Sequence, residues 1–235
     1  MTAGNRSTAV MASRRPVDSL QFFPTPPWAT RALIGDKLAP EGWATPHMSC
    51  WEPACGGGHM AAPLSEHFAR VFASDVHDWG YGDRHGLDFT FAAADDAPWA
   101  VDWIITNPPF TLGEAFLFRA LDIARAGVAL LLRLQWLEGG ERWRTVYSTD
   151  RAPVLICPFA DRVPMIEGVW DPEARSATAY AWFVWLKDHT GVRNLVSHIR
   201  PGAEGRHTRI SDRGLATPGE AARRRLAGKP GGAGR

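Results

Sequence analysis

Apolar residues recur along this chain in two alternating rhythms. Arg70-Val71-Phe72-Ala73-Ser74-Asp75, Val101-Asp102-Trp103-Ile104-Ile105, Val128 to Leu132, Val154-Leu155-Ile156-Cys157 and Tyr180 to Leu186 are short apolar runs that read as strands. The unbroken run at Val128 to Leu132 predicts a strand covered on both faces. A further short strand ends near Glu52-Pro53. Between these runs lie stretches with helical spacing. One covers Ala29 to Leu38, with Ala32, Leu33 and Leu38 on one face and Pro40 and Gly42 ending it. Others cover Met60 to Phe68, Leu112 to Ala126 with a stop at Gly127, and Glu138 to Tyr147. Strands alternating with helices predict an α/β fold, a doubly wound sheet with helices on both faces. The strand at Tyr180 follows a long irregular connection, Arg162 to Ala177, so it is free to run antiparallel.

The periodic region covers residues 21–199. Residues 1–20 are polar and unpatterned and are expected to be a disordered arm. Glycine, arginine and proline dominate residues 200–235, which are expected to form a flexible basic tail. There is no internal repeat.

Composition narrows the picture. The chain has 235 residues, 45% of them hydrophobic, and a mean hydropathy of −0.20, which suits one soluble globular α/β domain. No apolar run approaches the ~20 residues of a membrane span, and Met1 to Arg15 holds no apolar signal core. Cys50, Cys55 and Cys157 are too few and too scattered for a disulfide framework or a zinc cage. His77, Asp78, Asp83 and His85 lack a regular ligand spacing, so no metal is expected. A cytoplasmic location follows as the expectation. The net charge of +1 is unevenly spread: residues 200–235 hold nine Lys/Arg against three Asp/Glu, and residues 1–20 three against one. An acidic body with basic ends offers no broad basic face, although the tail is a source of phosphate contacts if it is not simply a solvated end.

Candidate chemistry gathers at three strand ends. The run Ile104-Ile105 leads into Thr106-Asn107-Pro108-Pro109-Phe110. Consecutive prolines cannot continue a central strand, and they hold Asn107 extended. An amide, two carbonyls and an aromatic ring are thereby fixed where ligands sit in open α/β sheets. The second strand end carries Glu52-Pro53-Ala54-Cys55-Gly56-Gly57-Gly58, and Gly56-x-Gly58-x-x-Ala61 fits the G-x-G-x-x-G/A turn of dinucleotide-type sites. No lysine follows, which excludes a P-loop. The third end is Asp75, 19 residues past Gly56, the spacing at which an acid binds ribose hydroxyls. These features suit NAD and S-adenosylmethionine equally. Asp88-Phe89 offers a carboxylate and a ring for an adenine base, or an ordinary loop. Upstream, Phe22-Phe23-Pro24-Thr25-Pro26-Pro27-Trp28 is a rigid, extended arm.

An exocyclic amine such as adenine N6 is a poor nucleophile because its lone pair is delocalised into the ring. The Asn107 side-chain oxygen and the Pro108 carbonyl can each accept one N–H. Together they draw the nitrogen toward tetrahedral geometry and support its developing positive charge. Phe110 can stack on the base, worth ~1–3 kcal/mol. A base within a duplex must be flipped out to reach such a pocket, unless the substrate is single-stranded.

The motif order Phe23-Pro24-Thr25-Pro26, Glu52-Pro53-Ala54-Cys55-Gly56-Gly57-Gly58, Asp75 and Asn107-Pro108-Pro109-Phe110 resembles S-adenosylmethionine-dependent amino-methyltransferases of DNA, notably the short adenine-N6 enzymes of phages and prophages. The likeness extends through Leu132 to Gly139 and Ser176 to Trp182, covering about residues 21–190. It implies a Rossmann-like class I methyltransferase fold with seven strands, mostly parallel, the last antiparallel. It implies that S-adenosyl-L-methionine is the cofactor and DNA the partner. Thr25 and Pro26, with Phe23 beside them, would close over the methionine end. Glu52, Pro53, Ala54, Gly56 and Gly58 would wrap the methionyl and ribose region, Asp75 would hold the ribose hydroxyls, and Asp88 and Phe89 would bracket the adenine. Asn107, Pro108, Pro109 and Phe110 would carry the chemistry. Sequence-specific members carry a sizeable target-recognition domain, whereas only about forty residues separate Arg142 from Trp182 here. Cytosine N4, adenine in RNA and a protein glutamine amide are alternative planar nitrogens. A NAD oxidoreductase is the alternative of another class, but nothing near Asn107 supplies proton transfer.

Overall fold

A computed structural model of the chain describes residues 21–227. The arm expected at residues 1–20 and the last stretch of the tail, residues 228–235, lie outside the described residues. Eight strands form one sheet: β1 (Ser49–Glu52), β2 (Arg70–Asp75), β3 (Arg84–His85), β4 (Trp103–Thr106), β5 (Gly127–Arg133), β6 (Leu155–Pro158), β7 (Tyr180–Leu186) and β8 (Leu195–Val196). Their order is β3-β2-β1-β4-β5-β7-β6-β8. β7 runs antiparallel to both its neighbours, and the remaining pairs are parallel. The expected seven strands become eight: the strand expected at Tyr180 is the antiparallel one, β7, and the short β8 follows it. β3 and β8 are two-residue edge strands, too short to leave a hydrophobic pattern.

Alternate residues of each central strand feed two separate cores, as the period of two requires. Trp103, Ile105, Ala129, Leu131, Trp182 and Val184 face one side with Trp28, Leu33 and Leu64. Ile104, Val128, Leu130, Leu132, Phe183 and Trp185 face the other with Phe116, Leu117 and Ala120. So α1 (Pro27–Leu33) and α2 (Ala61–Ser65) cover one face and α3 (Gly113–Ile123) the other. β4 and most of β5 are fully buried because both faces are covered. At the start of β5, a side chain on Gly127 would meet the Trp103 ring at 2.5 Å and the Trp185 carbonyl at 2.8 Å, so glycine is required there. α4 (Gly140–Arg142) is a single turn, followed by a wide turn over Trp143–Tyr147.

Residues 200–227 correct the expectation of a flexible tail. They form α5 (Ala203–His207), a 3₁₀ segment Ile210–Leu215 and α6 (Glu220–Ala227). Arg31, on α1, holds this segment in place. Its guanidinium donates to Asp212 at 2.7 and 2.8 Å, to Glu66 at 2.7 and 2.8 Å, and to the His207 carbonyl at 2.8 Å. Farther on, the buried Asp171 carboxylate accepts the backbone N–H groups of Gly219 and Ala221, capping α6 from a distant loop. Composition reads as flexible here because the anchors are long-range charge pairs, which leave no local periodicity. None of the described helices is long and apolar enough to cross a membrane.

Asp212→Ala leaves the buried Arg31 fork half paired. It is expected to cost ~3–5 kcal/mol, as for a broken buried pair, read by urea unfolding. A loss below ~1 kcal/mol, the range of solvated pairs, would show that the segment is only loosely attached.

Candidate active site

The chain order β1-β2-β3 grows outward on one side of the sheet and β4-β5 on the other, so β1 and β4 flank the point where the winding reverses. The carboxyl ends of strands at such a point open a crevice. A crevice with about 830 Å³ of open space lies there. Glu52 ends β1, Asp75 ends β2, and Asn107 follows β4 directly. All three line the same crevice, with Phe23, Thr25, Pro53, Ala54, Gly56, Asp88, Phe89 and Pro109.

Asn107 is held by one end of its amide. Its Nδ2 donates to the Phe23 carbonyl and to Thr25 Oγ1, both at 3.1 Å, and touches Met165 Sδ at 3.7 Å. Its Oδ1 is buried without a hydrogen-bond partner among the described residues. A carbonyl stripped of water without a partner costs ~1–3 kcal/mol. It is an unsatisfied acceptor on a residue that lines the crevice. The Pro108 carbonyl also receives no donor from the described residues, whereas the Pro109 carbonyl accepts Leu112 N–H at 2.9 Å. The rigid arm thus does more than pack on the core: its backbone and Thr25 orient the amide.

Glu52 is 2% exposed, and its Oε2 has no partner among the described residues. Burial pushes its carboxyl well above the usual range, and the Asp75 charge adds to that, while the Ala61 backbone N–H works against it. Asp75 is 7% exposed. Its Oδ2 accepts Gly56 N–H and its Oδ1 accepts His77 N–H, both at 2.9 Å. So Asp75 first of all ties the glycine turn to the end of β2. Each of its oxygens keeps a further lone pair for a ligand hydroxyl. Gly56 adopts φ +51°, and a side chain there would collide with the Phe22 ring.

Pro26, Gly58 and Phe110 do not line the crevice, and two residues that do, Asp88 and Phe89, are engaged elsewhere. Pro26 is buried as the cap of α1. Gly58 is covered by the Tyr81 ring. The Phe89 ring is 2% exposed and packs on Trp51 and Phe116, so it belongs to the core under the crevice. Asp88 Oδ1 caps the next turn by accepting the Thr90 N–H and hydroxyl. The Phe110 ring lies in a neighbouring cleft. Sequence reasoning missed other lining residues: Phe22, His59, Val76, Trp79, Leu112 and Phe116. Val76 was accessible to it, since it follows Asp75 at a strand end. Phe22 and Trp79 were not, because they meet as a stack with ring centroids 4.5 Å apart only after folding. His59 is tied through Nε2 to the Leu215 carbonyl at 2.9 Å, burial lowers its pKa, and its Nδ1 is a third buried crevice atom without a partner among the described residues.

No family model matches the sequence, and no curated protein matches it. Solved structures do resemble it. A modification subunit ascribed to a type I restriction enzyme of Vibrio vulnificus YJ016 superposes with a TM-score of 0.51 at 14% identity, over 81% of this chain and 52% of that one. This chain therefore spans about half the length of that subunit. A protein of Lactococcus lactis ascribed to the hemolysins superposes at 0.50 and 13% identity, over 75% of this chain and 96% of its own. The likeness and the sheet topology make this a Rossmann-like class I methyltransferase fold.

The raised pKa of Glu52 fixes the sign of a stability test. Between the ordinary value of 4.5 and the raised one, the folded state binds more protons than the unfolded state. Stability from this group is full below pH 4.5 and is lost as pH rises through the raised value. Glu52→Gln removes the titration, so its thermal midpoint should gain on the parent's as pH climbs from 4 toward 9. Midpoints that stay parallel across the series would mean that Glu52 is solvated.

Proposed function

We propose that this chain transfers a methyl group from S-adenosyl-L-methionine to the exocyclic N6 amine of adenine in DNA, on a flipped-out or single-stranded base. One observation carries the reading: Asn107 presents an unpartnered buried oxygen in the same crevice that holds Glu52 and Asp75. The Vibrio vulnificus neighbour, described as a modification subunit, fits it.

The residues present suit the donor. Glu52 is a buried carboxylate with an orphan oxygen, a site that favours a cationic group. Asp75 has lone pairs left for ribose hydroxyls, and Val76, Leu87 and Phe116 offer apolar contact to a flat ring. When bound, the donor supplies an electrophilic methyl carbon on a sulfonium, so the acceptor amine needs no strong base. Asn107 Oδ1 accepts one amine N–H and the Pro108 carbonyl the other. The Phe23 carbonyl and Thr25 hold the amide so that it cannot turn its nitrogen to the substrate. Both acceptors gain strength as positive charge grows on the amine, which is stabilisation realised in the transition state. The arm at residues 21–25 lies along the crevice and helps exclude water from it.

Asn107→Ala is expected to leave the calorimetric affinity for S-adenosylmethionine within about twofold while methyl transfer falls roughly 10²–10³-fold, as on removing one donor or acceptor of a developing charge. Equal loss of both would remove the assigned role. Incubation with labelled donor and with DNA, RNA and protein, followed by nucleoside analysis, should yield N6-methyladenine from DNA. Label in 4-methylcytosine, in RNA alone or in glutamine would replace the substrate, and binding of NAD instead of the donor would replace the class.

A further inference from the structure

The chain leaving β5 folds over a second cleft beside Asn107, with about 880 Å³ of open space. Its walls carry two guanidinium–aromatic stacks. Arg133 Cζ stands 3.8 Å from the centre of the Phe110 ring, and Arg142 Cζ 4.8 Å from that of Trp136. The two cations are not equivalent. Arg142 is spent: its Nε pairs with Glu114 at 3.1 Å and its Nη1 donates to the Trp136 carbonyl at 2.9 Å. Arg133 is exposed, meets the Tyr180 hydroxyl, and has no ion pair with a carboxylate among the described residues. One carboxylate, Glu138, is on the cleft wall.

Phe110 is well fixed beneath Arg133. Its backbone N–H donates to Gln21 Oε1 at 2.9 Å, and its ring packs on Phe23 at 4.9 Å and near Tyr180 at 6.4 Å. The ring therefore holds its orientation while the exposed guanidinium above it can leave. A guanidinium over a ring at an exposed site is a weak contact. The same fork binds a phosphate bidentately and far more strongly, and the ring face suits a nucleobase. Exposed Leu137 and Trp143, 43% and 60% accessible, lie on the same segment as the cleft wall.

We propose that Arg133 covers the Phe110 platform in the free protein and becomes a phosphate contact when the acceptor nucleotide of a nucleic acid strand arrives. In this exchange the base takes the Phe110 face from Arg133, and Arg133 turns to a backbone phosphate of that strand. Arg133 is then a positioning residue: it binds the strand and frees the platform next to Asn107. The inference rests on the reading of Asn107 as the amine acceptor.

The test uses a fluorescently labelled oligonucleotide of mixed sequence, single-stranded and duplex, titrated with the whole protein over a range of salt. Arg133→Gln should weaken binding several-fold and lower the salt slope by about 0.9 for duplex or about 0.7 for single strand, one phosphate contact. Arg133→Lys should keep the slope. Phe110→Ala should weaken binding roughly 5- to 150-fold with the slope unchanged, the signature of lost stacking; Phe110→Leu serves in its place if the alanine variant unfolds. All variants should bind S-adenosylmethionine like the parent. If Arg133→Gln and Phe110→Ala bind the oligonucleotide like the parent while donor binding is intact, the cleft proposal falls alone. If the parent itself does not bind the donor, it is the methyl-transfer reading that falls.

Discussion

The site depends on one amide held by its nitrogen. Asn107 donates to two oxygens of the 21–25 arm, and this leaves its carbonyl oxygen buried and unpaired. A free asparagine would rotate to satisfy both ends. Here the two ends cannot be traded, because the Phe23 backbone carbonyl can only accept and so must meet the amide nitrogen. The two prolines that follow fix the backbone, and the arm fixes the side chain. Each half is incomplete without the other: the arm has no site of its own, and the Asn-Pro-Pro turn has no defined amide orientation.

A second constraint is electrostatic. Two buried carboxylates, Glu52 and Asp75, share the other end of the crevice. They are treated differently by their surroundings. Asp75 is tied by two backbone N–H groups. Glu52 keeps an orphan oxygen and is pushed toward its neutral form. A crevice arranged this way gains from a ligand bearing a cation near Glu52 and hydroxyls near Asp75. The demand for a cationic partner near Glu52 thus lies in the protein itself, through the cost of burying an unpaired acid.

The described part of the C-terminal segment belongs to the same construction. Arg31 joins α1 to Asp212 and the His207 carbonyl, and the Leu215 carbonyl meets His59 in the crevice wall. Much of the basic charge there is consumed by ion pairs such as Arg224 with Glu220. Arg133, at the end of β5, is exposed and has no carboxylate partner among the described residues. The crevice and the aromatic cleft both lie along the carboxyl edge of the sheet, on either side of the Asn107 to Phe110 turn.

Apolar runs located five of the six longer strands within one or two residues and the end of β1, and the position of β7 after an irregular connection was compatible with its antiparallel direction. Local chemistry also marked Glu52, Asp75 and Asn107, because a glycine turn, a spaced acid and a double proline interrupt apolar runs at strand ends. These are short-range signals: they arise from backbone preferences and burial within a few residues. Everything that required distant residues to meet was decided by the tertiary structure. The short edge strands, the anchoring of residues 200–227 by Arg31, the Phe22–Trp79 stack and the covering of Phe110 by Arg133 are of this kind. Charge pairs and ring stacks between residues far apart carry no period along the chain, so only the folded sheet could bring them together.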